Sequence, residues 1–102
     1  MANLNIFTAL ADPTRREVFE IVARTPSHVA GIARQLPVTR PAVSQHLKVL
    51  SDAGLVSVTA EGTRRVYRAE PAKLDELRRW LDAMWGDALN AFAQTAEKEN
   101  SQ

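Results

Sequence analysis

A chain of 102 residues, 45% hydrophobic and 25% charged, supports one modest core; it is neither wholly disordered nor long enough in any apolar run for a membrane span. With no cysteine, disulfides, thiolate metal ligation and thiol redox sensing are excluded. The net charge of +1 is unevenly spread: residues 1–33 balance 3 basic against 3 acidic groups, residues 34–69 carry 6 − 2 = +4, and residues 70–102 carry 4 − 7 = −3. A basic middle beside an acidic end suggests a localised anion-binding surface. The N-terminus has no charged-then-apolar signal pattern, so the cytoplasm is the expected compartment and no membrane partner is expected.

Leu4, Phe7 and Leu10 recur at three-residue spacing and predict a short amphipathic first helix. Asp12-Pro13 restarts the chain, because Asp12 can cap the free N–H groups of a second helix and proline fits its first turn. Val18, Phe19, Ile21 and Val22 give that helix its apolar face, and Thr25-Pro26 ends it. Ser27 is expected to cap a third short helix with Val29, Ile32, Ala33 and Leu36 toward the core. Pro37 closes it, and Thr39 caps a fourth helix spanning Arg40 to Ala53, stopped at Gly54. So tight a connection predicts two crossed helices, as in a helix-turn-helix. Residues 55–60 and 63–68 form two extended runs around Glu61-Gly62 and predict a hairpin. Past Glu70-Pro71, one long helix is predicted over 72–97, with a frayed tail at 98–102.

This order, helices followed by a hairpin and a long helix, is the layout of a winged helix-turn-helix. The stretches Asp12-Pro-Thr-Arg-Arg16, Val38-Thr-Arg-Pro-Ala-Val-Ser-Gln-His-Leu-Lys-Val-Leu50 and Ala53-Gly-Leu-Val56 closely resemble the ArsR-type family of winged-helix repressors. The resemblance covers about residues 4–70. It implies a mainly α fold with a small β-hairpin that dimerises through its first and last helices, in a single domain over residues 1–97. It further implies a homodimeric repressor of transcription whose partner is double-stranded DNA.

The residues of the fourth helix agree with that function. Val43, Leu47 and Leu50 share one face and belong to the core, while Pro41, Ser44, Gln45, Lys48 and Asp52 share the other. Gln45 offers a donor and an acceptor together, matching the adenine edge; Arg40 can reach guanine or phosphate. Ser44 can bond to either, and Lys48 and the capping Thr39 suit phosphate. The resemblance places a histidine at His46, where DNA-backbone contact competes with a half-buried structural role. In the hairpin, Arg64 and Arg65 are wing candidates, but alternation along a strand sends them to opposite faces, and Glu61 near the tip repels phosphate. For Arg15 and Arg16, a solvated pair is favoured over a backbone contact.

The long helix carries more apolar surface than its own domain needs: Trp80 and Trp85 alone span roughly 140° of its circumference. Trp80, Leu81, Met84, Trp85, Ala88, Leu89 and Phe92, with Leu4 and Phe7, are the candidate homodimer interface. The family's metal sites use a cysteine pair in the third helix or Asp and His residues along the last; neither set is present, so no metal and no cofactor are expected. No phosphate loop, acid pair or nucleophile–base pattern supports catalysis. The alternative is a protein-interaction module acting through the aromatic last helix without specific DNA binding. Three options remain for release of the repressor: a small apolar ligand between the helices, an anti-repressor protein, or no effector at all. The last two are favoured because no polar group stands out inside the apolar stripe.

Overall fold

The computed structural model describes residues 2–100, with side-chain surroundings for 5–99. Helices α1 (Ala2–Ala11), α2 (Pro13–Arg24), α3 (Val29–Ala33) and α4 (Arg40–Asp52) precede a hairpin of β1 (Val56–Glu61) and β2 (Arg64–Ala69), and α5 (Pro71–Asn100) ends the chain. The helix boundaries follow local chemistry. Asp12 accepts a hydrogen bond from the Arg15 N–H at 2.9 Å and Thr39 Oγ1 accepts from the Ala42 N–H at 3.2 Å, each with proline in the first turn of the helix it caps. Arg15 also turns back to donate to the carbonyls of Thr8 and Ala9, tying the end of α1 to the start of α2.

Gly54, at φ +78°, ends α4 in the left-handed conformation. Its N–H reaches Ser51 O at 2.9 Å and the Leu55 N–H reaches Leu50 O at 2.9 Å, the paired bonds of a Schellman stop. Leu50 and Leu55, both 0% exposed, supply the apolar contact that accompanies it.

The core gathers Ile6 of α1, Val18 and Val22 of α2, Ile32 of α3, Val43, Leu47 and Leu50 of α4, and Leu55 at the entry to the hairpin. The three α4 residues expected inside are thus inside, leaving the opposite face of α4 to solvent.

One expectation for α3 is corrected. His28, not Ser27, caps the helix, its Nδ1 accepting the Gly31 N–H at 2.9 Å. Ser27 instead pairs with Tyr67, exchanging backbone hydrogen bonds of 3.0 and 2.8 Å. Two satisfied backbone groups on the outer edge of β2 outweigh a single cap, and the exchange ties the hairpin to the α2–α3 connection. The strands pair antiparallel from Val56 opposite Ala69 to Glu61 opposite Arg64. Gly62, at φ +64°, precedes Thr63 in the turn, the residue order of a type II′ hairpin.

Helix α5 begins one residue before its expected start and runs through Lys98 and Glu99 to Asn100; residues 101–102 lie outside the described ones. Leu74 and Leu77 pack against the core, and Trp80 meets Phe7 edge-on, ring centroids 5.1 Å apart at 66°. Beyond this contact the helix leaves the domain, stretching the chain to 69 × 26 × 23 Å. Its radius of gyration, 18.5 Å, exceeds the ~13 Å of a compact chain this long. No helix among the described residues is long and apolar enough to cross a membrane.

Candidate nucleic-acid interface

The outward face of α4 presents Arg40, Ser44, Gln45 and Lys48, all exposed, with Thr39 exposed just ahead of them. Opposite this face stands the hairpin. Between them runs a groove of about 600 Å³ lined by Pro41, Ser44, Gln45 and Lys48 from α4 and by Arg65 and Tyr67 from β2. One face of a helix and one face of a ribbon therefore converge on a shared concavity.

Strand alternation separates the two wing arginines. Arg65 shares a face with Tyr67 and lines the α4 groove. Arg64 points to the other side, where its Nη1 lies 3.0 Å from His28 Nε2. A second cleft, of about 490 Å³, is lined by His28, Arg34, Arg40, Arg64 and Arg65 with the backbone turn at Val29 and Ala30. Among the described residues no carboxylate lines it. The acid expected to trouble the wing tip, Glu61, is held by Arg68 across the hairpin, which cancels its charge locally.

Lys48 is the one α4 cation with an intramolecular partner among the described residues: its Nζ sits 3.3 Å from Asp52 one turn later, the side chains 69% and 70% exposed. So open a pair holds Lys48 only weakly.

His46 lies elsewhere. It is half-buried, lines neither groove, and lies near enough to Asp12 at the start of α2 to act on it electrostatically. The Arg15 N–H holds the Asp12 carboxyl below its ordinary value against an opposing desolvation, with the neighbouring His46 and Arg15 charges adding lesser lowering effects. Arg15 is engaged with α1 and does not join the α4 face.

Two features of this region escaped the sequence. His28 has no sequence spacing that ties it to Arg64, 36 positions away. Only the Ser27–Tyr67 bridge, itself a tertiary event, brings them together. Arg34, at the end of α3, carried only a generic basic signal, and its place in the cleft follows from how α3 crosses α4.

The remaining candidates lie apart on α5. Among the described side chains, Leu81, Met84, Trp85, Leu89 and Phe92 are 41, 45, 64, 52 and 73% exposed, Trp80 and Phe7 are 37 and 38% exposed, and Ala88 lies on the same exposed stretch. The side chain of Leu4 lies outside the described residues.

A crossed helix pair with a polar outward face, flanked by a hairpin wing, defines the winged helix-turn-helix class of proteins. The chain matches the helix-turn-helix domain family over residues 10–59. It is 53% identical over 91 residues, 89% of its length and 85% of the relative's, to an HTH-type transcriptional regulator of Mycobacterium tuberculosis. Among solved structures it resembles an ArsR-like transcriptional regulator from a Rhodococcus species at TM-score 0.79 and 35% identity, covering 93% of this chain and 92% of that one. It also resembles the homodimeric winged helix-turn-helix DNA-binding domain of a Mycobacterium bovis protein, at TM-score 0.68 and 25% identity over 86% of this chain and 82% of that one. The chain belongs to the ArsR-type family of winged helix-turn-helix transcriptional regulators.

Proposed function

We propose that this regulator is a homodimeric repressor that inserts α4 of each protomer into successive major grooves of a pseudo-palindromic operator, half-sites about one helical turn apart. The single observation that carries the reading is the groove between α4 and the wing, where Ser44, Gln45, Lys48 and Arg65 face outward together. Gln45 reads a base edge and Ser44 assists it. Arg40, Lys48, Arg65 and Arg64 hold phosphates, and Thr39 supports the helix start against the backbone. His46, half-buried and outside both groove linings, supports α4, the structural alternative to a backbone contact. Occupancy of the operator excludes polymerase. A DNA-binding regulator has no need of catalytic machinery, and its place of work is the cytoplasm.

The apolar stripe of α5 supports the dimer. Taking ~200 Å² for a fully exposed large apolar residue, the exposed fractions of Trp80, Leu81, Met84, Trp85, Leu89 and Phe92 amount to about 600 Å² per protomer. Two such stripes bury about 1,200 Å², the lower edge of a stable interface. Ala88 lets the helices approach, and Phe7, seated on Trp80, extends the patch onto α1. The homodimeric neighbour from Mycobacterium bovis supports a dimer of this fold.

Genomic fragments recovered with the purified protein supply the operator, and Gln45→Ala tests the reading on it. The variant is expected to lose about 1–3 kcal/mol of affinity and to relax specificity at one base pair. An equal loss on operator and unrelated DNA would remove Gln45 from base reading, and failure of the wild-type protein to enrich any fragment would leave the interaction-module reading in its place.

A further inference from the structure

His28 carries a hydrogen-bonding contradiction. Its Nδ1 accepts from the Gly31 N–H at 2.9 Å, so this nitrogen carries no proton, and the proton of the ring resides on Nε2. Yet Nε2 lies 3.0 Å from Arg64 Nη1, a group with only hydrogens to offer. Two donors face one another with no lone pair between them. Among the described residues no ion pair holds the Arg64 guanidinium: Glu61, its cross-strand partner, borders the neighbouring cleft with His28 but is paired with Arg68. The cleft that holds both groups adds Arg34, Arg40 and Arg65, and among the described residues no carboxylate lines it. What satisfies both donors is one oxygen bearing lone pairs and negative charge, approached from solvent.

We propose that His28 and Arg64 form a clamp on a single backbone phosphate of bound DNA, with Nε2–H and the guanidinium donating to the same non-bridging oxygen. The inference rests on the DNA-binding reading above and deepens it, adding a neutral histidine to a contact set otherwise made of arginine and lysine. The cleft lies between the N-terminal end of α4 and the wing, the two elements that flank the duplex in that reading, and Arg40 and Arg65 border it. Gly31 makes the seat. A Cβ there would lie 3.0 Å from His28 Cε1 and Nδ1, so any larger residue makes the ring give by a few tenths of an ångström.

The test uses the full chain and a labelled mixed-sequence duplex at low salt, with variants His28→Ser, Arg64→Ala and their combination. Serine keeps the cap on α3 while deleting the outer donor. His28→Ser is expected to weaken duplex binding about fivefold per protomer, with its melting curve unchanged. Because the neutral ring displaces no counterion, the salt dependence should stay as in the wild type, whereas Arg64→Ala flattens it. In the Arg64→Ala background the serine substitution should cost less than about twofold, the non-additivity of a shared ligand. Gly31→Ala should reproduce the loss with the native histidine in place. Independent effects that multiply, or full affinity in His28→Ser and Gly31→Ala, would overturn the clamp while leaving DNA binding intact. A wild-type protein that binds no duplex at all overturns the DNA reading and the clamp with it. Imidazole ¹⁵N spectra separate the sources of phosphate: the Nε2 signal of His28 should move with duplex, and movement with inorganic phosphate alone would make this a free-anion site and refute the assignment.

Discussion

Lys48→Ala gives the sharpest test of how α4 meets the DNA backbone. Lys48 rests on Asp52 in a pair whose side chains are 69% and 70% exposed, a contact worth about 0–1 kcal/mol. Its release to a phosphate is therefore cheap, and its removal should shift the folding stability by no more than about 0.5 kcal/mol. Four cations per protomer are assigned to phosphates: Arg40, Lys48, Arg64 and Arg65. A dimer thus makes about eight such contacts, for which log K falls with log salt at a slope of about −7. Losing Lys48 from both protomers brings the slope to about −5, and the deficit of the variant relative to wild type shrinks about twelvefold between ~50 and ~200 mM salt. Fluorescence anisotropy on a labelled operator duplex across that range reads both slopes. Asp52→Asn should act in the opposite sense, freeing Lys48 and removing a like charge that faces the phosphates. Parallel lines for wild type and Lys48→Ala would refute the reasoning and return Lys48 to its partner Asp52 as a solvated pair.

Trp85→Ala combined with Phe92→Ala removes nearly half of the exposed α5 stripe. The double variant is expected to sediment as a monomer at micromolar concentration and to lose roughly a hundredfold in operator affinity, since each half-site must then be held alone; an unchanged dimer would place the interface elsewhere. Asp12→Ala tests the cap of α2. With its folded-state pKa held below 3.8 mainly by the Arg15 N–H, the carboxylate lends stability that is complete at neutral pH and is lost as pH falls through the folded value. The variant should melt earlier than wild type at pH 7, with a gap that closes in acid; a gap independent of pH would locate the effect in something other than the charged cap.

Much of the fold was legible because its punctuation is local. Asp12-Pro13, Thr39 and Gly54 act through hydrogen bonds to residues within a few positions, and each does what its residue type predicts. The division of α4 into Val43, Leu47 and Leu50 inside and Ser44, Gln45 and Lys48 outside follows from helical period alone. The cap of α3 was misread for a physical reason: Ser27 is the better capping residue, but Tyr67, forty positions on, offers it two backbone bonds. His28 inherits the cap only because that distant pairing draws Ser27 away.

The amino-acid order by itself determined the helix starts and stops, the polar face of α4, the apolar stripe of α5 and the absence of thiol chemistry, because each depends on neighbours one or two turns away. Which groups meet was decided by the tertiary structure. Alternation could say that Arg64 and Arg65 diverge, but only the docking of the wing against α3 and α4 sends Arg65 into the α4 groove and Arg64 to His28. It is likewise the packing of α5, anchored by Leu74, Leu77 and Trp80 and then departing from the domain, that leaves its distal stripe uncovered by its own chain. Such contacts join residues far apart in sequence, and their energies exist only once the core has fixed how the elements cross.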